Sequence, residues 1–154
     1  MVLDIDETLL HSTYEKLKVP ADFTYKERNV YLRPHLTSFL DYCFTHFNVG
    51  IWTVALAEYA DFVLRKMGRY DQLEFVYHRD HCQEKETFNG LTNEIRHLKD
   101  LHTLKTYKLE SIIMLDDTPQ FVRPLDNVLM IPEFRGEADD QALLDIQKKL
   151  ENLI

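Results

Sequence analysis

Glycine is scarce in this 154-residue chain: Gly50, Gly68, Gly90 and Gly136 are the four, and they are scattered. No Gly-rich loop of the kind that cradles phosphates with backbone amides can be built from them. Cysteine is scarcer still. Cys43 and Cys82 form no C-x-x-C and no disulfide framework, so they read as ordinary thiols of a reducing compartment. No apolar run approaches the roughly 18 residues of a membrane-spanning helix, and no signal-peptide core precedes the first motif. Basic residues are in deficit, 18 Lys and Arg against 26 Asp and Glu, for a formal net charge of −8. Such a chain repels nucleic acid and anionic membranes at long range, so neither is expected as a partner, and a phosphorylated ligand has to be attracted locally. These absences describe a soluble intracellular protein, of cytoplasm or nucleus, expected to be a monomer.

What is present supports a packed core: 45% of residues are hydrophobic and 12% aromatic, which suits one domain over residues 1–154. Leu36, Phe39, Leu40, Cys43, Phe44 and Phe47 recur on one face of a helix that opens after Pro34. Ala60, Val63, Leu64 and Met67 mark a second helix stopped by Gly68, and Leu143, Ile146, Leu150 and Leu153 a third. Between them, Val49 to Thr53, Phe75 to Tyr77, Ile112 to Leu115 and Val128 to Ile131 read as short β-strands. The alternation predicts an α/β fold with a mostly parallel central sheet flanked by helices.

In an open parallel sheet, ligands bind outside the carboxyl ends of the strands. Here those ends are polar. The strand Met1 to Leu3 runs into Asp4-Ile5-Asp6-Glu7-Thr8, the second ends at Thr53, and the strand Ile112 to Leu115 ends at Asp116-Asp117. Any one of these residues alone would be read as a turn or helix cap. Three strand ends closing this way, two with paired acids, point to a metal-phosphate site instead. Two carboxylates two residues apart suit phosphoryl transfer through a covalent aspartate, one attacking phosphorus and the other handling the leaving-group proton.

Val2-Leu3-Asp4-Ile5-Asp6-Glu7-Thr8-Leu9-Leu10-His11-Ser12 resembles the first motif of the haloacid dehalogenase superfamily. The likeness continues through Val30 to His35, Trp52 to Asp61, His78 to Cys82, Leu98 to Leu101 and Leu115 to Pro119, in the order of the small C-terminal-domain phosphatases, also called NLI-interacting-factor-like. The resemblance implies a Rossmann-like fold and an aspartate-based phosphatase. It makes Asp4 the nucleophile and Asp6 the general acid and later base. It gives Asp4, the backbone carbonyl of Asp6 and Asp116 to a Mg²⁺ ion, with Asp117, often Asn in relatives, as a ligand directly or through water. Thr53 and Lys99 would contact the phosphoryl group, Lys99 also offsetting the acidic cluster, and Thr8, Tyr59, Arg79 and Asp117 would face substrate. Taken alone, Lys99 reads as a solvated helix residue. His78-Arg79-Asp80 imitates a kinase motif, but Lys85 stands where that motif requires Asn. His78, His81 and Cys82 have zinc-ligand chemistry yet lack a second ligand pair at a finger-like spacing.

Residues 13–33 form an insert in which Phe23 to Tyr25 and Val30 to Leu32 read as two short strands around Lys26 to Asn29, a hairpin flap. Neither this gap nor Val54 to Lys99 has room for a separate cap of ~50 residues or more. An open crevice suits phosphoserine or phosphothreonine in a protein or peptide. The insert is shorter and more charged than in relatives, where it carries an apolar pocket for a proline-containing peptide. Only Met1 to Leu3 precede Asp4, whereas relatives have a longer lead-in, so the native chain is expected either to extend further or to be a compact relative. The rival readings are a phosphatase of small metabolites and a non-catalytic phosphopeptide-binding module of the same fold.

Overall fold

The structure is a computed structural model and describes residues 1–153. Its elements in chain order are β1 (Val2–Leu3), β2 (Leu10–Thr13), β3 (Phe23–Tyr25), β4 (Arg28–Leu32), α1 (Leu36–His46), β5 (Gly50–Trp52), α2 (Ala57–Met67), β6 (Val76–Tyr77), β7 (Gln83–Phe88), β8 (Asn93–Asp100), β9 (Met114–Asp116), β10 (Val122–Arg123), β11 (Val128–Met130) and α3 (Ala142–Glu151). Five strands build a parallel sheet in the order β11-β9-β1-β5-β6. The strand order reverses at β1, which places the crevice at its carboxyl end.

Register divides the sheet into two faces. Leu3 pairs with Ile51 and Leu115, and all three enter the core shared by Phe39 and Leu40 of α1, Val63 of α2 and Ile146 of α3. Val2 pairs with Gly50 and Met114 and faces the other way, where Trp52 and Met114 pack on Leu101, Leu104 and Val122. The sequence predicts helices flanking the sheet. That architecture is present: all three long helices pack into one core, and the opposite face is covered by short 3₁₀ turns such as Leu101–Thr103. Each such fully buried aliphatic side chain stabilises the fold by about 1.5–3 kcal/mol. The C-terminal stripe stops short: α3 ends at Glu151, and Leu153 is exposed.

Two smaller sheets sit beside the first. The insert is a three-stranded antiparallel sheet in the order β2-β4-β3, with Tyr25 paired to Arg28. Its turn is therefore Lys26-Glu27, tighter than expected, with Lys26 in the left-handed region at φ 51°. Tyr25 packs edge-on against Tyr59 at 5.2 Å and lies 5.0 Å from Phe62, while Phe23 meets Phe62 at 6.1 Å. Those aromatic contacts pin the flap onto α2. A second hairpin, β7 and β8, joins β10 in a sheet of order β10-β8-β7 and carries Lys99 to the crevice. Among the described residues no helix is long and apolar enough to cross a membrane.

Candidate active site

Asp4 leaves the carboxyl end of β1, Asp116 closes β9 beside it, and Thr53 follows β5 on the other side. Lys99 arrives from the separate β8 sheet. Its ammonium lies 2.6 Å from Asp4 Oδ1 and 2.7 Å from Asp116 Oδ2, and all three side chains are almost wholly buried. A carboxylate oxygen each from Asp4, Asp116 and Asp117 lie within 4.8 Å of one another.

The second oxygens are also held. Thr8 Oγ1 lies 3.2 Å from Asp4 Oδ2 and 3.2 Å from Asp117 Oδ1. Asp116 Oδ1 accepts from the Thr118 amide at 2.8 Å and its hydroxyl at 2.9 Å. Asp6 is set apart: its Oδ1 accepts from the Tyr59 hydroxyl at 2.7 Å, and its side chain lines a pocket of about 410 Å³ outside the cluster.

The turn between Asp4 and Leu10 is shaped by its own residues. Glu7 has a left-handed backbone at φ 61°, a conformation that costs a non-glycine residue about 1 kcal/mol or more. Its amide bonds to the Leu10 carbonyl at 2.7 Å, its carbonyl accepts from the Phe134 amide at 2.7 Å, and its carboxylate meets His11 Nδ1 at 2.8 Å. Arg33, only 1% exposed, donates to the Thr8 carbonyl at 3.0 Å, to the Pro132 carbonyl at 2.9 Å and through two nitrogens to Asp140 at 2.8 and 2.9 Å.

Burial dominates the electrostatics. It pushes the Asp4 carboxyl up to about 8, against the pull of Lys99 and with the help of Asp116. Burial also raises Asp6, opposed by the Tyr59 hydrogen bond, and raises Asp117 together with the charge of Asp116. For Lys99 burial works against the ammonium, but Asp4 and Asp116 outweigh it and the amine is held above its usual range. One ammonium faces more carboxylate charge than it can offset.

That donor set fits a hard divalent cation. Carboxylate oxygens converge from three side chains, no histidine or cysteine joins them among the described residues, and the Asp6 carbonyl accepts no hydrogen bond from the described residues.

The other expected site residues surround this cluster. Thr8, expected to face substrate, is fully buried behind the carboxylates, where its hydroxyl orients Asp4 and Asp117. The Tyr59 hydroxyl donates to Asp6 at 2.7 Å, and Tyr59 lines the pocket beside it. Lys99 lies one residue before the end of β8 rather than on a solvated helix, while the neighbouring basic residues Lys105 and Lys108 are exposed and pair with none of these carboxylates among the described residues. Thr53 is 1% exposed and its Oγ1 accepts from the Ala55 amide at 3.1 Å, leaving the hydroxyl hydrogen to donate. Arg79 lines the pocket with Asp6, its Nε bound to the Val54 carbonyl at 2.8 Å. His81 stacks on Tyr77, and its Nδ1 accepts from the His78 amide at 3.1 Å. Sequence reasoning passed over Arg33, whose partner is 107 residues away, and the pocket residues Lys26 and Arg28.

The family model for NLI interacting factor-like phosphatases matches residues 1–154. The chain belongs to this family. It is 30% identical over 137 residues to a putative CTD phosphatase-like protein of invertebrate iridescent virus 3, covering 80% of this chain and 73% of the viral one. It is 29% identical over 162 residues to a probable C-terminal domain small phosphatase of Dictyostelium discoideum, covering all of this chain and 50% of that protein. The human CTD small phosphatase-like protein is 27% identical over 161 residues, and the chain covers 55% of its length. The chain thus spans about half the length of several relatives. Among solved structures, fission yeast Fcp1, an RNA polymerase II CTD phosphatase bound to beryllium fluoride, superposes with a TM-score of 0.63 at 15% identity, over 99% of this chain and 49% of that one. That likeness shows that the two chains share the same α/β fold.

Proposed function

We propose that this chain is a Mg²⁺-dependent phosphatase that hydrolyses phosphoserine or phosphothreonine in proteins through a phosphoaspartate on Asp4. The observation that carries this reading is the Lys99 ammonium between Asp4 and Asp116, with Asp117 alongside and Asp6 on a separate, pocket-facing side. Asp4, Asp116, the carbonyl of Asp6 and Asp117, directly or through water, would hold the ion. Bound there, Mg²⁺ supplies Lewis-acid stabilisation of phosphoryl charge and favours the ionised form of Asp4.

An Asp4 carboxylate oxygen attacks phosphorus, and the bond from phosphorus to the serine or threonine oxygen breaks. Asp6 gives its proton to that leaving oxygen, a role its upward shift supports. Asp6, now ionised, takes a proton from water as the water oxygen attacks phosphorus; the bond to Asp4 breaks and inorganic phosphate leaves. Lys99 holds Asp4 in one orientation and offsets charge on the phosphoryl oxygens, and Thr53 donates its hydroxyl to one of them. Thr8 and Thr118 keep the carboxylates from turning.

The pocket beside Asp6 is open to solvent and is bounded by the flap. That opening supports a side chain presented on an extended peptide. The test measures Mg²⁺-dependent hydrolysis of an aryl phosphate by the protein and by Asp4→Asn, then compares phosphopeptides with sugar phosphates and nucleotides. Acid-quenched protein should carry a hydroxylamine-labile phosphoryl group that Asp4→Asn lacks. Turnover equal to the Asp4→Asn control would sink the catalytic reading, and activity confined to metabolites would sink the substrate class.

A further inference from the structure

The pocket beside Asp6 is cationic in a chain whose net charge is −8. Lys26 and Arg28 project into it from the flap, and Arg79 from the opposite wall. Their partners differ. Lys26 pairs with Glu58 at 3.5 Å, and Arg79 is tied through Nε to the Val54 carbonyl. Arg28 has no carboxylate within ion-pair distance among the described residues; its guanidinium rests on the Tyr14 ring, 4.7 Å from the centroid. Acidic side chains outnumber basic ones in this chain, so an arginine stacked on an aromatic face beside the crevice, with its fork of donors unspent, is a site awaiting an anion. The position is fixed: Arg28 pairs with Tyr25, and Tyr25 is packed on Tyr59, whose hydroxyl holds Asp6.

We infer that Arg28 reads a carboxylate side chain, Asp or Glu, next to the phosphorylated residue of the substrate, so that the preferred substrate is an acidic phosphopeptide. The inference rests on the proposed phosphopeptide reading and adds to it a sequence preference. A single carboxylate is favoured over a second phosphate by charge balance. One unpaired guanidinium matches one negative charge, whereas a dianion beside Asp4, Asp6, Asp116 and Asp117 would meet uncompensated repulsion.

The test uses synthetic phosphoserine peptides identical except at one residue flanking the phosphoserine, on either side, which is Gln, Glu, Lys or a second phosphoserine. Equilibrium binding to Asp4→Asn with Mg²⁺ needs no turnover, so it tests the subsite apart from the catalysis. Glu on one side is expected to tighten binding over Gln by about three- to tenfold, in the range of a partly exposed charge-assisted pair, and Lys to weaken it. The gain should shrink as NaCl rises and be lost in Arg28→Gln. Equal binding of Glu and Gln peptides, or a Glu preference that survives Arg28→Gln, overturns the inference. A tighter, Arg28-dependent response to the second phosphoserine than to Glu overturns the carboxylate assignment. Acidic-peptide selectivity in Asp4→Asn without turnover by the unsubstituted protein would instead defeat only the catalytic reading.

Discussion

Lys99 is the residue on which the candidate site turns, because its burial makes sense only with both carboxylates in place. A buried ammonium without partners is strongly disfavoured, and two buried carboxylates without it equally so; breaking such a pair costs about 3–5 kcal/mol. Lys99→Met keeps the stem and removes the charge. It is expected to lower the melting temperature and cut kcat by about 10²-fold or more, read by calorimetry and by aryl phosphate turnover. A near-normal kcat would show that the amine plays no part in the chemistry. The same charge imbalance predicts a response to cations. Mg²⁺ should raise the melting temperature and EDTA reverse it, with about 2.7 kcal/mol of stabilisation at a concentration 100 times its Kd. Asp116→Asn should flatten that response, whereas Asp100→Asn, outside the cluster, should keep it. The acids at the strand ends were legible in the sequence because they interrupt apolar strands. The burial of Lys99 was not, since nothing local in Leu98-Lys99-Asp100 distinguishes an ammonium in solvent from one between two carboxylates.

Among elements, the strands of the parallel sheet were legible because both their faces are buried and their apolar runs are short and continuous. The hairpin of β7 and β8 was not. Gln83–Phe88 is mostly exposed along its length, and Phe88, Leu91 and Ile95 point to solvent, so no period-two pattern marks these strands. The insert was read as a flap, but its attachment depends on aromatic contacts between Phe23, Tyr25, Tyr59 and Phe62 that sequence spacing does not reveal. This attachment is testable. Tyr25→Ala removes two aromatic pairs, each contributing about 0.5–1.5 kcal/mol beyond buried area, and should loosen the turn at Lys26-Glu27 while the main sheet stays folded. Trypsin should then cut after Lys26 or Arg28 faster than in the unsubstituted protein, with little change in far-ultraviolet circular dichroism. An unchanged cleavage rate would mean that the Tyr25 contacts do not hold the flap.

At the scale of the whole molecule, Arg33 ties together segments that leave the sheets. It links the turn carrying the acids to Pro132 and to Asp140, just ahead of α3, and Arg33 packs 5.3 Å from the Phe134 ring. The C-terminal segment therefore braces the Asp4 turn, with the Glu7 carbonyl also accepting from Phe134. Burial would raise the Asp140 carboxyl, but the hydrogen bonds and charge of Arg33 outweigh it and hold the group below its ordinary value. A carboxyl depressed by folding stabilises the native state above its unfolded pKa, and the stabilisation is lost as pH falls through the folded value. Asp140→Asn should therefore unfold at lower urea than the unsubstituted protein at neutral pH, by about 3 kcal/mol, the low end for a pair with one solvent-facing member. That gap should close as the pH drops below the ordinary carboxylate range, because Asp140 then protonates in the unsubstituted protein too. The difference between the two proteins cancels titration of the acids around Lys99, which both retain. A gap that stayed constant down to acid unfolding would mean that the brace is a matter of shape and hydrogen bonding rather than charge.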